Sequence, residues 1–258
     1  MPTQIIPLFE DGHILRREML IALSDYAFLT NRLLHKGYAD GILAGCELTT
    51  TGDEIILQTG ILFFQGQAYL IKEPVATAYY PTNKAVILKI SISDENKDQS
   101  FTYRQLDLHL TEQTHLQQNE LELCRFTLQQ GAELRDRYQN FEDRGTMFDT
   151  LNRIHVPYSV KRESTLSGDI TRSFAEEMLA LRQITDFDTL FCMQIMNQPY
   201  PASKDALIAY LRHVLKKELH DRSNQTIYQE LVTVLRGRKS GTIEIDEVKT
   251  PVWSMSIN

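Results

Sequence analysis

Apolar positions between residues 40 and 71 fall in short runs, broken at close intervals by Gly41, Gly45, Gly52, Gly60 and Gly66. Strands are expected near 42–49, 54–59, 61–65 and 67–72, as a compact β-meander. Thr51-Gly52-Asp53 supplies one tight reversal and Gly66 another, because glycine reaches positive φ without a Cβ clash. Gly60, inside a β-forming run, reads as a bulge or strand break. Upstream, residues 15–36 place Met19, Leu20, Leu23, Tyr26, Ala27, Leu33 and Leu34 near three-to-four spacing, and Gly37 is a natural stop. That is an amphipathic helix, with Arg16, Arg17, Glu18, Asp25 and Arg32 as a solvated face.

Pro74 and Pro81 frame an irregular bridge carrying Tyr79 and Tyr80. Val86, Leu88, Ile90 and Ile92 alternate along one strand, the polar run DENKDQS turns the chain, and Leu106, Leu108 and Leu110 line one face of a second strand. A third runs from 120 to 128. Residues 129–166 lose any sustained period and read as a connector with one short helix, bounded near Pro157, which cannot continue a helix. From 167 onward the period is helical: a helix over 170–197 with a break near Asp186, one capped by Ser203, and one from 224 that stops at Gly237. The tail alternates again around Ile243, Ile245, Val252 and Trp253. Its apolar residues Val252, Trp253, Met255 and Ile257 are the candidate partner-binding residues, docking on a neighbour or packing back on their own domain.

These patterns define an α+β fold. An N-terminal helix and a small antiparallel β-sandwich or barrel occupy 1–128, the connector 129–166, and a helical bundle with a short strand-like tail 167–258.

Composition changes this picture little. The hydrophobic fraction is 42% and the charged fraction 24%, as in a packed globular chain. A net charge of -7 opposes general attraction to nucleic acid or an anionic membrane. No run approaches the eighteen apolar residues of a membrane-spanning helix, and the N-terminus lacks the basic segment and apolar core of a signal peptide. Cys46, Cys124 and Cys192 lie far apart inside apolar runs, as buried thiols rather than a zinc or disulfide set.

There is no phosphate-binding GxxxxGK[ST], and GRKSG at 237–241 follows a helix instead of preceding one. His213 and His220 stand about 10 Å apart by helix rise, too far for a shared metal. No GxSxG elbow is present. Glu120 with Glu122, and Glu176 with Glu177, read as pairs on solvated faces. The basic clusters 135–137, 161–162 and 236–239 raise the nucleic-acid question, but cations gather at a helix C-terminus through its dipole in any case. No catalytic residue, metal or cofactor is indicated.

The run YADGILAGCELTTTGDEIILQTGILFFQGQAYLI, with its ordered glycines and Tyr69, resembles a small β-domain near the start of many bacteriophage tail and baseplate proteins. LELCRFTLQQGAELR, LNRIHVPYSVKRESTLSGDI and FAEEMLALR look like a family of prophage-encoded proteins of Gram-positive bacteria. Members often carry the description "DNA and RNA helicase", but the Walker-type lysine loop that a helicase needs is missing here. The resemblance implies a non-enzymatic structural component of a phage tail, baseplate or phage-tail-like contractile particle. Its partners would be other tail or baseplate proteins and further copies of itself, with no nucleic acid. It would lie in the cytoplasm during assembly and then in the particle. The alternative is a receptor- or carbohydrate-binding module at the tail tip, with Tyr79, Tyr80, Tyr103 and Trp253 as stacking platforms.

Overall fold

The structure, a computed structural model, describes residues 5–243. It is α+β, with an N-terminal helix, small antiparallel sheets and a set of C-terminal helices. Helix α1 covers Arg17–Leu34, inside the expected span, and ends before Gly37, whose φ is 82°.

The expected meander is instead a long hairpin with a bend in it. Strands β1 (Gly41–Gly45) and β2 (Leu48–Thr51) form one arm, and β3 (Glu54–Leu57) and β4 (Gly60–Phe64) return along it. Leu48 pairs with Leu57 and Gly45 with Gly60, while Cys46 N–H bonds to Thr59 O across the gap at 3.0 Å. The bend needs glycine on both arms. Gly45 has φ 63°, and a Cβ on Gly60 would lie 2.4 Å from Cys46 N and 2.5 Å from its Sγ. Of the two readings its sequence allows, Gly60 therefore marks the strand break between β3 and β4, a site of close backbone approach, and not a bulge. The tip at Gly52 and the Gln65-Gly66 turn into β5 (Gln67–Ile71) reverse as expected, the latter with positive φ at both residues.

The bridge between the prolines contains a strand, β6 (Val75–Ala78), which pairs with β3. Its VATA sequence is too short to show a period. A second sheet has β7 (Ala85–Ile92) at its centre, flanked by β10 (Leu106–Thr111) and β11 (Glu120–Thr127). The polar turn between β7 and β10 carries a small ladder of β8 (Asn96–Lys97) and β9 (Thr102–Tyr103). Glu120 and Glu122 are not on a solvated face. Glu122 is buried and holds Arg125 through two 2.6 Å bonds, and Glu120 meets buried Lys89 at 3.1 Å. Inner faces of the sheets share one core around Ile55, Leu62, Leu88, Leu123 and Phe126.

In 129–166 the short helix is a 3-10 turn over Glu142–Gly145. The helical part has α2 (Gly168–Leu179), α3 (Asp186–Asn197), α4 (Lys204–Leu215) and α5 (Asn224–Ser240) around a second core that includes Phe174, Tyr210 and Leu231. The break before Asp186 is enforced by a capping box between Thr185 and Asp188, and Ser203 caps α4 as its position suggests. Helix α5 runs past Gly237 and ends at Gly241, in the left-handed conformation. A Cβ at Gly237 would meet Ile243, so that glycine serves packing instead of termination.

Candidate assembly interface

Helix α1 is amphipathic by spacing, yet none of its residues is buried. Leu20, Leu23, Tyr26, Leu29, Leu33 and Leu34 all face solvent, with Tyr26 69% and Leu34 70% exposed. The segment before it adds Ile5, Ile6, Leu8, Phe9, Ile14 and Leu15, also exposed. An apolar surface of this extent, left uncovered by the described residues, is the kind that marks an interaction site. The charged residues of α1 are solvated as expected, and its apolar residues are solvated too.

The helix is held at its C-terminal end. His35 and Tyr38 meet edge-on at 5.2 Å, and both rings contact Phe63, at 5.9 and 6.3 Å. Beyond them, Ala39 N–H bonds to Val160 O at 3.0 Å and Ile42 N–H to Pro157 O at 2.8 Å. The root of α1 is thus stapled to both β4 and the 157–162 segment, while no residue along its length is buried.

A cavity of about 320 Å³ lies between the two cores, lined by Glu47, Tyr138, Arg144, Arg153 and Asp169 among others. Arg153 donates to Tyr158 Oη at 2.6 Å and to Cys46 O at 3.1 Å, and Arg144 sits 4.7 Å over the Tyr138 ring. Burial pushes the Tyr138 hydroxyl and the Cys46 and Cys124 thiols up to about 12, so they stay protonated at neutral pH. Burial also lowers the pKa of His155. Nothing in this arrangement pairs a nucleophile with a base. Among the described residues there is also no cluster of His, Cys, Asp and Glu suited to a metal ion.

The basic clusters are largely matched by carboxylates. Arg135 forks onto Asp143 at 2.9 and 2.8 Å, Arg236 reaches Glu142 at 2.6 Å, Arg238 meets Asp188 at 2.9 Å, and Lys239 meets Glu177 at 2.9 Å. Of the stacking candidates, Tyr79 is committed to the core, donating to Gly52 O at 2.7 Å, whereas Tyr80 and Tyr103 are exposed. Val252, Trp253, Met255 and Ile257 lie outside the described residues, as does most of the strand-like tail. No described helix is long and apolar enough to cross a membrane.

The exposure of α1 is the feature that periodicity missed, because a helical period shows which residues share a face and not what covers it. The signal available was the preceding run, where apolar residues recur outside any element.

No family model matches the chain, and no curated protein does. Solved structures similar to it at low identity include the following. A crystal structure of TssK shares 10% identity and a TM-score of 0.42, covering 92% of this chain and 69% of that one. A chain of the type VI secretion system TssK-TssF-TssG baseplate subcomplex, seen by cryo-electron microscopy, shares 9% identity at a TM-score of 0.43, covering 92% of this chain and all of that one. A chain of the type VI secretion baseplate complex shares 9% identity at a TM-score of 0.46, covering 94% of this chain and 71% of that one.

Proposed function

We propose that this protein is a non-enzymatic structural component of a contractile particle of the phage-tail or baseplate kind, acting through protein–protein interfaces. The observation that carries the reading is α1, an apolar helix rooted firmly at one end, none of whose residues is buried by the described part of the chain. Assembly proteins work by interface area, and an exposed apolar helix supplies it in a form that a neighbour can bury. The tail or baseplate setting is the one that the sequence resemblance implies. The baseplate setting of the compared structures remains a property of those proteins, given TM-scores below 0.5.

In this role the chain resides in the particle, contacts other tail or baseplate proteins, and uses neither cofactor nor nucleic acid. The test is mass spectrometry of sedimented contractile particles from an induced culture. Recovery with sheath, tube and baseplate proteins is expected; recovery only as a free chain overturns the reading. The exposed Tyr80 and Tyr103 keep a glycan-binding role at the tail tip as the alternative. It requires cell-wall binding that the double alanine variant of these tyrosines loses.

A further inference from the structure

Read along α1 and the residue two before it, Leu15, Met19, Ala22, Tyr26, Leu29 and Leu33 recur at alternating spacings of four and three, the a and d positions of a coiled-coil seam. Glu18, Asp25 and Arg32 recur beside that seam at the g position. From these we infer that the occupant of the α1 face is α1 of a second copy of this chain, paired antiparallel about a two-fold axis. The inference deepens the interface reading by naming the partner, and rests on it only for the premise that the face is covered.

Size and charge select the orientation. In the antiparallel register, Leu15 faces Leu33, Met19 faces Leu29 and Ala22 faces Tyr26, each layer occurring twice by symmetry. A small residue thus always meets the largest one. A parallel pairing would set Tyr26 against Tyr26 and Ala22 against Ala22, one layer too wide and the next too narrow. The same antiparallel register brings Glu18 opposite Arg32 at both ends, against a single Asp25–Asp25 encounter near the axis. Two attractions then oppose one repulsion of similar size.

Area and shape agree. Covering Leu15, Leu23, Tyr26, Leu29 and Leu33, all exposed, removes on the order of 600 Å² of surface per copy, or roughly 1,200 Å² in total, at the lower bound for a specific interface. The β-domain is joined to the C-terminal end of α1, so antiparallel pairing places the two β-domains at opposite ends of a helix about 27 Å long, where they do not collide.

The test uses the full chain. Light scattering behind a sizing column should give twice the chain mass, and Leu29→Glu should return the single-chain mass with an unchanged far-ultraviolet dichroism spectrum. Since no residue of α1 is buried, that substitution does not touch either core. Mild oxidation of a Met19→Cys/Leu29→Cys double variant should yield a covalent dimer that neither single variant forms. The native thiols are buried and pushed up to about 12, so they do not compete. A single-chain mass at micromolar concentration, equal cross-linking by Met19→Cys alone, or an oligomer indifferent to Leu29→Glu would each overturn the pairing. A monomer that still sediments with tail proteins overturns the pairing and leaves the structural role standing; a dimer absent from particles does the reverse.

Discussion

Asp143 shows how one side chain fixes a segment that has no regular structure. It accepts both arms of Arg135, the Gln139 amide at 2.8 Å and the Thr146 hydroxyl at 3.0 Å. The Arg135 bonds, ahead of the others, hold its carboxyl near a pKa of about 2. Because that lies below the unfolded value, the stabilisation is complete above about pH 4 and is lost as pH falls through about 2, with a ceiling of about 2 kcal/mol. Asp143→Asn should therefore cost about 1–2 kcal/mol at pH 7 in urea unfolding, and its deficit should shrink toward pH 2. Asp188 plays the larger part in the helical core. Fully buried, it takes Tyr210 Oη at 2.8 Å, Thr185 Oγ1 at 2.8 Å and Arg238 Nε at 2.9 Å, joining α3, α4 and α5. Burial, and then Asp188, raise the Tyr210 hydroxyl, which remains a donor across the accessible pH range. Asp188→Ala removes the carboxylate that joins α3, α4 and α5 and should cost about 3–5 kcal/mol, against about 1–2 for Tyr210→Phe, measured by the same unfolding midpoints.

At the scale of elements, the bent hairpin depends on Gly60, where any side chain would strike the Cys46 backbone. Gly60→Ala should destabilise by about 3 kcal/mol or more, whereas Gly52→Ala, at a turn with open space and φ 46°, should cost about 1 kcal/mol. Equal effects in thermal unfolding would contradict this account. Strands β3, β4, β5, β7, β10 and β11 and the starts of α4 and α5 were legible in the sequence, because alternation, helical spacing and the Ser203 cap are local signals. Their connections were not. Gly45 opposite Gly60 is a relation between residues fifteen apart, and the chain order of apolar runs does not show that β1 pairs past the tip with β4. The extent of α5 is hidden for the same reason: Gly237 has the form of a helix stop, and only the packing of Ile243 over it shows otherwise. In the candidate interface, the composition of α1 was legible, and its exposure among the described residues was not.

In the whole molecule, residues 129–166 belong to both cores. Leu134, Leu151, Val156 and Tyr158 enter the β core, while Phe141, Ile154 and Leu166 enter the helical one. From α5, Asn224 donates to Val156 O at 3.1 Å and Thr165 O at 3.2 Å, and Tyr228 donates to Phe141 O at 2.8 Å. We therefore propose that the β and helical parts unfold together, even though the sequence divides them into domains. Calorimetry should show one transition, and Leu151→Ala and Ile154→Ala, three residues apart but in different cores, should each lower it by about 2–5 kcal/mol. Two separated transitions, each sensitive to one variant, would contradict the coupling. The stapled root of α1 has a mechanical consequence as well. A pull on the helix reaches the body through Ala39 to Val160, Ile42 to Pro157 and Ser159 to Ile42, hydrogen bonds spread along two adjacent segments. Load applied along those segments is shared among them in shear instead of opening them one at a time, and it passes by way of Asn224 into α5. The protein is built so that tension on α1 is borne by the joint between its two cores.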